Sequence, residues 1–149
     1  MKPTTIALIV AIMGVFNGSG RLVFSAISDK LNKRKHIYYV IFTCSILMTG
    51  ATIIFHIITP LTLILISATY GAGFSCIAPL LADLYSMKNI SKIHGLILSA
   101  WAIAGLTGNQ TSMFIQRHTG SYMTVFYVIC GLYLIAMILS MNIKVDDKQ

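Results

Sequence analysis

Long apolar blocks separated by short polar breaks set the plan of this chain. Five such blocks lie at about 5–27, 37–58, 61–85, 92–114 and 121–141. Each is about 20 residues long, the length at which an apolar helix crosses a hydrocarbon core of roughly 30 Å. The pattern predicts an all-α integral membrane fold, with five transmembrane helices in a single membrane domain over 1–149.

Polar and small residues inside the blocks give the helices distinct sides. In the first block, Asn17, Arg21, Ser25 and Ser28 recur at steps of four, four and three, which puts them on one helical face. Ile12, Val15, Phe16, Leu22 and Val23 take the opposite side. Gly14 and Gly18 form a small-x-x-x-small pair that lets another helix approach closely. Thr59–Pro60 reads as the turn between the second and third blocks. In the third block, Gly71 and Gly73 are expected to allow close packing or unwinding. Pro79 predicts a kink, because it cannot donate to the carbonyl of Ser75. The fourth block carries Gly95, Ser99, Ala102 and Gly105 at helical spacing, a stripe suited to close packing, with Ser91 as its expected N-cap.

Composition agrees with the pattern. Hydrophobic residues make up 56% of the chain and charged residues 10%, against about a quarter charged in a soluble domain. That leaves too little polar surface to coat a globule in water. The formal net charge of +7 would suit a nucleic-acid binder, but the cations sit in the breaks rather than over one face. Lys30, Lys33, Arg34, Lys35, Lys88, Lys92, Lys144 and Lys148 share one side of the bilayer, and Lys2 and Arg117 the other. The excess of cations on one side predicts that the breaks after spans one and three and the C-terminus are cytoplasmic. The N-terminus is then outside. With no cleavable signal, that predicts a preceding span and a fragment of a longer protein.

Most enzyme chemistries find no residues here. Cys44, Cys76 and Cys130 fall in three different blocks without metal-ligand spacing and read as small buried hydrophobes. The histidines form no i, i+4 pair and no cluster with carboxylates. No Ser–His–Asp order, paired acids or glycine-rich phosphate loop occurs. The expectation is no enzyme, no metal and no cofactor.

Arg21 is the sharpest exception to the apolar pattern. It lies about 12 Å by helical rise from Asp29 at the helix end, deep in a hydrocarbon half-thickness of about 15 Å. A charge there costs about 2.5–3.5 kcal/mol on insertion scales, and such residues usually face a cavity on a substrate or ion path. An arginine suits a carboxylate, because its planar fork donates two parallel hydrogen bonds. Asn17, one turn away, adds a neutral donor. The structural alternative is an arginine that snorkels toward the headgroups or pairs with backbone carbonyls. Asp29 ends the first span where Ser91 begins the fourth, and is expected to face that helix N-terminus as a conformational latch, favourable by about 0.3–1 kcal/mol. Its alternative is a solvated charge within the basic cluster of Lys30, Lys33, Arg34 and Lys35. Asp83 reads as a helix-end or interface residue.

The stretch from Ser25 through Asp29, Lys30, Asn32, Lys33 and Arg34 to Lys35 resembles the loop motif of the major facilitator superfamily, G-x-L-x-D-R-x-G-R-R/K. Ser25 and Asn32 stand where that motif has glycine, and Lys30 where it has arginine. Preceded by Asn17-Gly-Ser-Gly-Arg21, the stretch resembles the second copy of the motif in oxalate/formate antiporter-like members. Leu81-Ala-Asp83, His94-Gly95, Ala100-Trp101 and Ala104-Gly105 resemble the same branch.

The resemblance implies a partial C-terminal helical bundle, spans eight to twelve of a twelve-span secondary transporter, in a bacterial inner (plasma) membrane. It implies transport of a small carboxylate-type anion by rocking of two bundles around a central site. Partners would be that small molecule, the bilayer, and a missing N-terminal half or a second copy, with no nucleic acid. Oxalate-carrying members are expected to hold a second buried cation in the penultimate span. Residues 97–114 carry none here, so a dicarboxylate would meet only Arg21. Two other readings stand beside this one: a truncated inactive remnant, and a small membrane scaffold assembling through Gly14, Gly18 and the span-four stripe.

Overall fold

The computed structural model describes residues 2–31, 34–85 and 89–143. They form α1 (Pro3–Lys30), α2 (His36–Ile54), α3 (Thr59–Leu84), α4 (Ile90–Thr119) and α5 (Tyr122–Met141), with a 3₁₀ turn, His56–Ile58, between α2 and α3. All five helices are long and apolar enough to cross a membrane. No strand occurs among the described residues.

Local chemistry sets several helix ends. Pro3 opens α1, where its missing N–H would have had no helical partner. Gly120 closes α4 at φ 69°, a left-handed conformation that glycine adopts without a Cβ clash, and its N–H bonds Gln116 O at 2.9 Å. Ser121 Oγ then caps α5 by accepting from the Met123 N–H at 3.1 Å. Two boundaries differ from expectation. Thr59 and Pro60 are the first residues of α3 rather than a turn; proline suits that position, and the chain turns at 55–58 instead. The cap of α4 is Asn89, not Ser91, because the Ile93 N–H already bonds Asn89 O at 3.1 Å and closes the first turn earlier.

The interior is rich in hydroxyls and the exterior is apolar. Ser28, Ser45, Thr49, Thr52, Thr62 and Thr69 are buried, while Leu22, Ile57, Leu106 and Leu139 are largely exposed. Hydrocarbon solvates the outer side chains, and four of these hydroxyls pair across helices, while Thr49 donates to Ser45 O in its own helix. Helix α3 is central: it packs along α1 and against α2, α2 packs on α5, and α5 on α4. Ser45 and Thr69 pair at 2.8 Å, and Thr52 and Thr62 at 2.5 Å, joining α2 to α3.

The contact between α1 and α3 follows one register. Ser67 Oγ donates to Met13 O at 2.9 Å and Ser75 Oγ to Arg21 O at 3.2 Å, both across 54 residues. Gly71 lies between them at the same offset, so close to Asn17 that a Cβ would overlap its carbonyl. Gly20 is pressed in the same way onto the backbone of Ala68. The small residues Ser67, Gly71 and Ser75 recur every fourth position, so one ridge of α3 lies against α1. Among the described residues nothing lies within 4 Å of a Cβ built on Gly14, Gly18, Gly73 or Gly105. The close contact of α1 with α3 is made, among the described residues, at Gly20 and Gly71 rather than at Gly14 and Gly18, because the face of α1 turned to α3 carries Asn17 and Gly20. Pro79 lies inside α3, which continues beyond it to Leu84.

Candidate functional site

Arg21 and Asn17 come together as their spacing requires. Arg21 Nε donates to Asn17 Oδ1 at 3.3 Å, and the guanidinium carbon lies 4.9 Å from the ring centroid of Phe74 on α3. The hydroxyl of Ser75 on the backbone carbonyl of Arg21 fixes this turn of α1 against α3. A cation–π contact at an exposed site contributes about 0.5–1 kcal/mol. That is below the roughly 2.5–3.5 kcal/mol cost of an arginine at mid-membrane depth. The guanidinium is exposed on this chain and keeps donors free for water or an anion.

An aromatic wall continues from Arg21. Phe74 packs against Trp101 of α4 with ring centroids 5.5 Å apart, and Trp101 Nε1 donates to Tyr70 Oη at 2.6 Å. Three helices thus contribute one surface: Arg21 from α1, Tyr70 and Phe74 from α3, Trp101 from α4. Behind it is a half-open cavity of about 280 Å³ between α2, α3, α4 and α5, lined by Tyr38, Phe42 and Tyr133 as well as Tyr70, Phe74 and Trp101. On the other side, an open groove runs along Tyr70, Trp101 and Gly105. The spacing of Tyr70 and Phe74, four residues apart beside the two glycines, was the available sequence signal for this wall.

The basic loop forms a charge bridge at the other end of α1. Arg34 Nη1 donates to Asp83 Oδ1 at 2.9 Å and Nη2 to Asp29 Oδ1 at 3.4 Å. Arg34 therefore ties the end of α1 to the end of α3. The pairing differs from the expectation that Asp29 faces the start of α4: Arg34 lies five residues on and supplies a full charge, stronger than a helix terminus. Lys35 Nζ donates to Ile143 O at 3.0 Å, joining the same loop to the end of α5. Lys30 is exposed in the last turn of α1. Lys33 lies outside the described residues. Among the described residues no cluster of metal-ligating side chains occurs.

The sequence profile of the Major Facilitator Superfamily matches residues 1–148. The chain belongs to the major facilitator superfamily. Its members are transporters, and the five apolar helices make this one a multi-pass membrane protein. It is also similar to monocarboxylate transporter 10 of Danio rerio, 24% identical over 125 residues. That alignment covers 81% of this chain and 25% of the relative, so the chain spans about a quarter of that protein's length. No solved structure matches the chain.

Proposed function

We propose that this superfamily chain supplies the carboxylate-facing helices of a secondary transporter that moves a small organic anion by alternating access. The observation that carries the reading is Arg21, held on the α1 surface by Asn17 and Phe74 with donors to spare. A carboxylate would take two parallel hydrogen bonds from the guanidinium. Monocarboxylate is favoured over oxalate. Between Lys92 and Arg117 the fourth helix carries no cation to meet a second carboxylate, and the relative is named for monocarboxylates.

In this reading α1 to α5 are spans eight to twelve of the oxalate/formate antiporter-like plan, with the Arg34 loop and the C-terminus cytoplasmic and the N-terminus outside. Arg34, Asp29 and Asp83 act as a latch that forms and breaks as two bundles rock. Helix α4 buries none of its residues within this chain, which supports packing against further helices, from an N-terminal half or a second copy.

The test is uptake of radiolabelled pyruvate and oxalate into membrane vesicles from the native host. Arg21→Gln should abolish pyruvate uptake with expression intact, and Arg21→Lys should retain part of it. Unchanged uptake in Arg21→Gln overturns the reading.

A further inference from the structure

The cavity behind the aromatic wall shares Tyr70, Phe74 and Trp101 with the Arg21 surface, but Arg21 itself does not line it. Among the described residues no charged side chain lines it. The two aliphatic hydroxyls are engaged: Ser45 and Thr69 pair at 2.8 Å, one donating to the other while the acceptor's own proton goes to a carbonyl of its helix, Ile41 O or Ile66 O. Tyr38 Oη donates to Gly73 O at 3.0 Å. A charged ligand would lose part of its hydration in this half-open space and gain no ion partner. Apolar surface, in contrast, gains about 25 cal/mol for each Å² removed from water. A dry cavity of about 150 Å³ holds one benzene ring. The volume here, about 280 Å³, is nearly twice that.

Tyr70 and Trp101 are common to this cavity and to the outer groove. Their hydrogen bond joins α3 to α4 between the two spaces. Tyr70 accepts in that bond and keeps its own proton, so it can donate to one acceptor on a ligand.

We infer that the cavity between α2, α3, α4 and α5 is a binding pocket for an uncharged apolar small molecule of one to two rings, bordered on the groove side by the Tyr70–Trp101 pair. It adjoins the carboxylate surface proposed at Arg21 across the shared Phe74 ring, but needs no charge from Arg21.

Trp101 is the single tryptophan of the chain and lines the pocket, so its fluorescence reports on occupancy. The purified full chain in lipid nanodiscs is titrated with bromocyclohexane, a heavy-atom quencher. The expected result is a saturable quench, relieved by cyclohexane and not by cyclohexanecarboxylate, and still saturable in Arg21→Gln. Ile97→Phe, which fills the cavity, should weaken the saturable part at least tenfold; Leu98→Phe is the second filling variant, and circular dichroism checks that each is folded. Quenching that rises linearly with bromocyclohexane, or that folded filling variants leave unchanged, overturns the inference. Equal relief by cyclohexanecarboxylate overturns it by assigning the pocket to a charged ligand. In nanodiscs of brominated-chain phosphatidylcholine, quenching that cyclohexane relieves would make the occupant a lipid chain and also overturn it.

Discussion

Arg34 Nη1 lies 2.9 Å from Asp83 Oδ1, so the loop after α1 is tied to the end of α3 by an ion pair. The two side chains are 34% and 36% exposed, which puts the pair among partly solvated bridges. Such pairs contribute about 0.2–1 kcal/mol, the range the proposed latch requires. A double-mutant cycle of Arg34→Gln and Asp83→Asn, read by thermal unfolding in detergent, should give a coupling of about 1 kcal/mol or less. Arg34 with Asp29→Asn should couple more weakly, since that contact is 3.4 Å and Asp29 is 65% exposed.

The contact between α1 and α3 should be intolerant of one methyl group at two positions. A Cβ at Gly71 meets the Asn17 carbonyl, and one at Gly20 meets the Ala68 backbone; neither obstacle is a side chain that can turn aside. Gly71→Ala and Gly20→Ala should each destabilise by about 1–3 kcal/mol, the range for overpacking. Gly14→Ala and Gly18→Ala have open space and should leave the unfolding midpoint unchanged or slightly raised.

Those glycines also show how far the sequence was legible. Block length and hydropathy place all five helices, because a bilayer imposes length directly on composition. The pairing of Asn17 with Arg21 was legible because i, i+4 neighbours on a helix must meet. The partner of α1 was not. Gly14 and Gly18 present the same small-x-x-x-small pattern as Ser67, Gly71 and Ser75, and only the rotation of α1 about its axis selects between faces. The Arg34–Asp83 bridge spans 49 residues, so its register depends on how α3 packs and not on local spacing.

Buried hydroxyl pairs should contribute modestly. Thr52 and Thr62 share two protons among three contacts: one hydroxyl donates to the other, and the acceptor donates to its own helix, at Met48 O or Thr59 O. Losing one partner therefore leaves the other satisfied. Thr52→Val should cost about 0.6 kcal/mol, near the mean for interhelical bonds in a membrane. The double variant Thr52→Val, Thr62→Val should cost less than the sum of the two singles, as expected for residues in contact.

The proposed orientation makes a direct prediction. With the three native cysteines replaced by serine, a cysteine at Thr119 should react with an impermeant maleimide on intact cells. One at Lys30 should react only after permeabilisation. Both positions are exposed on the chain, so access decides the result and burial does not. Labelling at Lys30 but not Thr119 would invert the map.

Phe74 separates a positioned arginine from a merely charged surface. Its ring faces the Arg21 guanidinium at 4.9 Å and packs on Trp101 at 5.5 Å, so it holds the cation and the wall in one arrangement. Phe74→Leu keeps an apolar side chain but removes the ring quadrupole. The lost contact, about 0.5–1 kcal/mol, corresponds to a two- to fivefold rise in KM for pyruvate in the vesicle assay. Phe74→Tyr keeps the ring face and should leave KM close to wild type. The same Phe74→Leu change should shift Trp101 emission, because it strips one neighbour from the indole. If KM is unchanged while the emission shifts, Phe74 packs Trp101 without positioning Arg21, and the carboxylate surface is set by Asn17 and the Ser75 hydroxyl alone.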